Sequence, residues 1–78
     1  MIGMLTRIFA DSVISFKSAG NIVVIITKPG SAGVAAGTID VLDWPEIVGC
    51  IAGDNTIFVA IDDASKAQTI IERFQTLI

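Results

Sequence analysis

The stretch "NIVVIITK" constrains this chain more than any other. Every residue from Ile22 to Thr27 is β-branched, and such side chains lose χ1 freedom in a helix but pack well on a pleated surface. The segment is therefore a strand. It lacks the polar alternation of a strand with one wet face, which suits a central strand or one covered by another subunit.

The neighbouring segments give this strand its partners. "SVISFK" alternates, with Ile14 and Phe16 predicted on one face and Ser15 and Lys17 on the other, and "SAGN" turns it into the β-branched run as a hairpin. Pro29 and Gly30 of "KPGS" then turn the chain, and Ser31 is of the type that caps a helix, here one running to about Leu42. Val34, Ala35, Thr38, Ile39 and Leu42 form the apolar stripe expected to lie on the sheet.

A second stripe on this helix, Gly33, Ala36, Gly37 and Asp40, carries the smallest side chains and ends in a carboxylate. Glycine inside a helix costs about 1 kcal/mol relative to alanine, so two of them ask for a reason. Close approach of another backbone or a ligand is one; packing within the same subunit and plain tolerance are the others.

"DWPE" ends the helix, because the residue before Pro45 is pushed towards extended geometry. Trp44 reads as a packing or interface residue rather than a ligand stacker. "IVGCIA" and "TIFVAI" make a second strand pair joined through Gly53, Asp54 and Asn55. Asp62 or Asp63 caps "ASKAQTIIERFQTLI", where Ala67, Ile70, Ile71, Phe74, Leu77 and Ile78 share a helical face. At the other end, Ile2, Leu5, Ile8 and Phe9 recur at helical spacing, predicting a lead-in arm or short helix within residues 1–10.

The order β-β-α-β-β-α predicts one α/β domain over residues 1–78, of the α+β two-layer kind. Its four-stranded, mainly antiparallel sheet carries two helices on one face and is bare on the other. Composition says what that bare face is for. The 78 residues are 53% hydrophobic and only 17% charged, although a small domain has proportionally more surface to cover with polar groups. A membrane span needs about twenty apolar residues in a row, and Arg7, Asp11, Lys17, Lys28, Asp40 and Asp54 interrupt every run. "MIGMLTRIFADS" is no signal peptide, so a cytoplasmic protein without membrane contact is expected. The apolar excess then points to other copies of the chain, a homo-oligomer.

Charge and residue types narrow the chemistry. A net charge of −3 argues against gripping a phosphate backbone, so no direct nucleic-acid contact is expected from this domain. The absence of histidine and tyrosine removes the commonest acid–base residue and every histidine-dependent metal site or triad, so the chain reads as a non-enzyme. The lone Cys50 reads as a buried, inert thiol. Asp40 and Asp54 are isolated acids in apolar or small-residue surroundings. They suit a cationic ligand, best a guanidinium, whose planar fork meets a carboxylate bidentately; a metal would need more ligands. A solvated helix residue and a plain turn are the simpler readings of the two.

"SVISFKSAGNIVVIITKPGSA" followed by "LDWPEIVGCIAGDNTIF" closely resembles the C-terminal domain of bacterial arginine repressors, from about Leu5 to Ile78. The resemblance implies an arginine-sensing oligomerisation domain of a transcriptional regulator, a trimer pairing into a hexamer. L-Arginine is the effector at the subunit contact, there is no other cofactor, and a separate DNA-binding domain absent from this chain would make it a fragment. Asp40 matches the helix acid that holds the amino-acid end of arginine. Asp54 matches the first acid of a Gly-Asp-Asp motif facing a guanidinium, and the backbone around Cys50 and Ala52 completes the pocket. Asn55 stands where a second aspartate is usual, Cys50 where threonine is common, and Gly33 where a larger polar residue contacts the ligand. The alternative is a structural assembly domain of a divergent paralogue, with weak or altered ligand binding.

Overall fold

The computed structural model describes residues 2–78, with only the backbone of Ile2; Met1 and the Ile2 side chain, first in the helical spacing, lie outside the described residues. The elements are α1 (Ile2–Ser12), β1 (Val13–Ala19), β2 (Ile22–Thr27), α2 (Ala32–Leu42), β3 (Ile47–Ala52), β4 (Thr56–Ile61), a 3-10 turn (Ala64–Lys66) and α3 (Ala67–Gln75). The strands form one antiparallel sheet in the order β1-β2-β4-β3. The β-branched run is thus central, as its composition requires, and the β-β-α-β-β-α order holds with a full N-terminal helix added.

One face of the sheet is sealed. Val23 and Ile25 of β2 and Ile57, Val59 and Ile61 of β4 are buried under Ala32, Ala35 and Ile39 of α2 and Ile70, Ile71 and Phe74 of α3. Burying an aliphatic or aromatic side chain of this size contributes about 1.5–3 kcal/mol, so this layer is the main source of stability. Phe9 of α1 enters the same core, with ring centroids 5.6 Å from Phe74 and 6.3 Å from Phe16. Trp44 packs 4.8 Å from Phe74, which confirms it as a packing residue. Arg73 lies over the Trp44 ring at 4.9 Å and forms a bidentate pair with Glu46 at 2.8 and 3.0 Å, clasping α3 to the loop before β3.

Several local expectations are corrected. A β-bulge between Val13 and Ser15 breaks the alternation of β1, so Val13 and Phe16 pack on the core while Ile14 is exposed. Ser31 makes no side-chain cap, because its backbone is already helical (φ −102°, ψ −5°); the Ala32 amide at the start of α2 instead donates to the Asp54 carbonyl at 3.2 Å. The buried stripe of α2 excludes Val34, which is exposed, and includes Ala36. It turns that way because α1 packs along the helix, where Thr38 Oγ1 donates to the Leu5 carbonyl at 3.2 Å. Helix α2 ends at Leu42 as expected, but it is Asp43, with a left-handed backbone (φ 52°, ψ 46°), that turns the chain, one residue before Trp44. Of the two expected capping acids it is Asp63 that serves, as N-cap of the 3-10 turn leading into α3, accepting from the Ser65 amide at 2.9 Å; Leu77 and Ile78 lie beyond α3, and Ile78 is exposed.

The opposite sheet face is bare. Phe58 and Ile51, side by side on β4 and β3, are exposed, and Ile22, Val24 and Ile26 of β2 are only half-buried. An apolar groove of about 440 Å³ crosses it between Ile22, Val48, Ile51, Phe58 and Ala60.

Candidate functional site

The hairpin tip after β3 is held chiefly by its backbone. The Gly53 amide donates to the Thr56 carbonyl at 2.8 Å, the Thr27 amide to the Asn55 carbonyl at 2.8 Å, and the Ala32 amide to the Asp54 carbonyl. The last bond places the tip against the first turn of α2, beside Gly33. Asp54 and Asn55 are both exposed. Thr56 Oγ1 donates to Asn55 Oδ1 at 3.0 Å.

The second acid stands at the other end of the helix. Asp40, in the last turn of α2, is exposed, and Cys50 Sγ reaches its Oδ1 at 3.5 Å and the Ala36 carbonyl at 3.9 Å. Burial pushes the Cys50 thiol up to about 11, with the Asp40 charge and hydrogen bond adding to it. The thiol therefore stays protonated at neutral pH as a weak donor to Asp40; Cys50 is half-buried rather than buried as the sequence suggested. A cleft of about 120 Å³ opens beside it between Asp40, Asp43, Trp44, Ile47, Val48 and Gly49.

The sequence-predicted residues thus fall into two groups. Gly33, Asp54 and Asn55 gather at the start of α2, and Asp40 and Cys50 at its end, with Ala52 between them on β3 against the core. From Ala32 to Asp40 the axial rise is roughly 12 Å, so the two acids of one chain do not grip the same functional group. Gly33 and Gly37 have open space where a Cβ would stand, so packing within the subunit does not explain either glycine. Sequence reasoning misses Asp43 and Val48 at the cleft. Their signal lay in "LDWPEIVG", whose left-handed stop and β3 bulge between Ile47 and Gly49 aim them there. Among the described residues no cluster has the composition of a metal site, and no helix is long and apolar enough to cross a membrane.

Comparison with known proteins places the chain in a family. The family described as "Arginine repressor, C-terminal domain" matches residues 9–76. The chain is 45% identical over 74 residues to an arginine repressor of Caldicellulosiruptor bescii, covering 95% of this chain and 49% of that protein. It is 43% identical over 75 residues to one of Moorella thermoacetica (96% and 50%) and 47% identical over 73 residues to one of Alkaliphilus metalliredigens (94% and 49%). The chain spans about half the length of these curated relatives, which are repressors by name and not enzymes. With the family matched over nearly its whole length, the chain belongs to the arginine repressor C-terminal domain family.

Proposed function

We propose that this chain is the arginine-binding oligomerisation domain of a cytoplasmic transcriptional regulator of arginine metabolism. It assembles as a trimer that pairs into a hexamer, and DNA is contacted by a separate domain. The observation that carries this reading is that Asp40 and Asp54 lie at opposite ends of α2, each exposed and, among the described residues, in no ion pair. Asp40 holds the amino-acid end of L-arginine, and the Asp54 of a neighbouring copy meets its guanidinium. A ligand held by two subunits binds the assembled state better than the separated one and shifts assembly by that difference.

The sheet supports the assembly half of the proposal. Its edge strands β1 and β3 each carry a bulge, which discourages growth of the sheet from its edges. The bare apolar face is left as the surface for self-association. The test combines light scattering and calorimetry with L-arginine. A mass that is a multiple of three chains, heat on titration, and binding weakened at least tenfold by D40N and by D54N are expected. A monomer at high concentration overturns the assembly claim, and no heat at millimolar L-arginine overturns the sensing claim.

A further inference from the structure

We propose that Arg73 and Glu46, neither of which lines the cleft beside Asp40, are positioning residues for the ligand bound there and act through Trp44. This rests on the ligand site proposed above and names what holds one of its walls. Asp40 and Asp43 bound the cleft from the end of α2, and the opposite wall is the chain leading into β3, with Trp44 its largest side chain. Two bonds fix the backbone of that wall: the Ile47 amide donates to the Trp44 carbonyl at 3.0 Å, and the Asp62 amide to the Glu46 carbonyl at 2.9 Å. The indole itself is set by α3. Phe74 packs against it at 4.8 Å, and the Arg73 guanidinium lies 4.9 Å over its ring.

Fastening α3 to the sheet does not account for the Arg73–Glu46 pair. Ile70, Ile71 and Phe74 already bury that helix in the core, and the pair is partly exposed, at 36% and 21%, where solvent screening leaves an ion pair little effect on stability. What the two bonds at 2.8 and 3.0 Å do set is the orientation of the guanidinium plane, because a fork meeting a carboxylate bidentately admits only one. That plane covers the indole. Without Glu46 the guanidinium is free to swing off the ring, and Trp44 keeps Phe74 alone. A wall held in place before the ligand arrives has no ordering cost on binding.

Trp44 is the only tryptophan of the chain, so tryptophan fluorescence reports on this wall alone. The test titrates L-arginine into the native 78-residue chain, E46Q and R73K, following both heat and Trp44 emission, with circular dichroism and light scattering as checks on fold and mass. In the native protein the emission is expected to change with the same midpoint as the heat. E46Q, and R73K, which keeps the charge but loses the fork, are expected to stay folded with native mass. Both should leave Trp44 more open to acrylamide quenching and bind L-arginine about three- to tenfold more weakly. Native binding that leaves Trp44 emission unchanged overturns the inference and leaves the arginine site standing. So does native affinity in the variants, or a weakened affinity with Trp44 quenched as in the native protein. No heat in the native protein overturns the arginine site itself and this inference with it.

Discussion

Ile57 and Phe58 are consecutive on β4 and point to opposite faces of one sheet. Ile57 is 0% exposed beneath the helices, whereas Phe58 is 54% exposed on the bare side. At their centres, on β2 and β4, both faces carry branched aliphatic residues, and Phe58 adds an aromatic ring on the bare side, so hydrophobicity there does not distinguish them. What differs is the cover: three helices close one face, and the other keeps its aromatic and branched side chains in solvent. An apolar sheet face left open by its own chain is a surface whose stability depends on other chains, and therefore on concentration and on anything that binds across the contact.

The largest expected effect separates the faces directly. Ile57→Ala leaves a cavity in the sealed layer and is expected to cost about 2–5 kcal/mol of unfolding free energy, a large share of what a small domain possesses. Phe58→Asp is expected to leave the dilute, unassembled chain within about 1 kcal/mol of native stability, and to abolish the higher-mass species. Urea unfolding at low protein concentration and light scattering at high concentration read the two terms separately. Equal destabilisation of both variants in dilute solution would mean that the outer face is closed by its own chain.

How much of this was legible in the sequence follows the same division. The central strand, the hairpin pairs and the bare face were readable because β-branched runs and turn residues act locally. The α2 stripe was right at Ala35, Thr38 and Ile39 but took Val34 for Ala32 and Ala36, because the neighbour α1, which fixes Thr38 through Leu5, is remote in sequence and leaves no mark on helical periodicity. Ile14 was assigned to the wrong side because a bulge inserts one residue without any glycine or proline to announce it. For the candidate site, residue types singled out Asp40 and Asp54 as isolated acids, and both are exposed in the structure. Their separation by the length of α2 required coordinates, because it depends on the tip of a later hairpin docking at the start of that helix.

Acid probes the sealed face alone. Arg73 holds the Glu46 carboxyl down to about 2, from an ordinary 4.5, chiefly through their direct hydrogen bonds. A carboxyl whose pKa is depressed on folding stabilises the native state fully above its unfolded value and loses that contribution as pH falls through its folded value. The clasp between α3 and the start of β3 is therefore intact above about pH 4.5 and lost towards pH 2. The melting temperature of the native chain should fall over that window more steeply than that of E46Q, whose clasp is already weakened at neutral pH. The strand positions of the bare face, Ser15, Lys17, Ile22, Val24, Ile26, Gly49, Ile51, Thr56, Phe58 and Ala60, include no carboxylate. Association through that face should show no matching transition. If assembly and the melting temperature titrate together in the native chain and both lose that dependence in E46Q, the two faces are not independent.

The smallest expected effect is a gain within the helical layer. Asp43 adopts φ 52°, a left-handed conformation that costs a residue with a Cβ roughly 1 kcal/mol and glycine almost nothing. Its carboxylate also sits at the negative end of the α2 dipole, where a cation would be favoured. Asp43→Gly relieves both, offset by the greater freedom of glycine in the unfolded chain. The net is a stabilisation of about 0.5–1 kcal/mol, or roughly 2–8 °C in melting temperature for a domain of this size. Asp43→Asn removes the charge and keeps the Cβ, so the difference between the two variants isolates the backbone share. In dilute, unassembled protein the gain reports the backbone and dipole contributions alone. Because Asp43 lines the same cleft as Asp40, proposed above to share a ligand with a neighbouring copy, a gain that changes with concentration would place that whole cleft at the subunit contact.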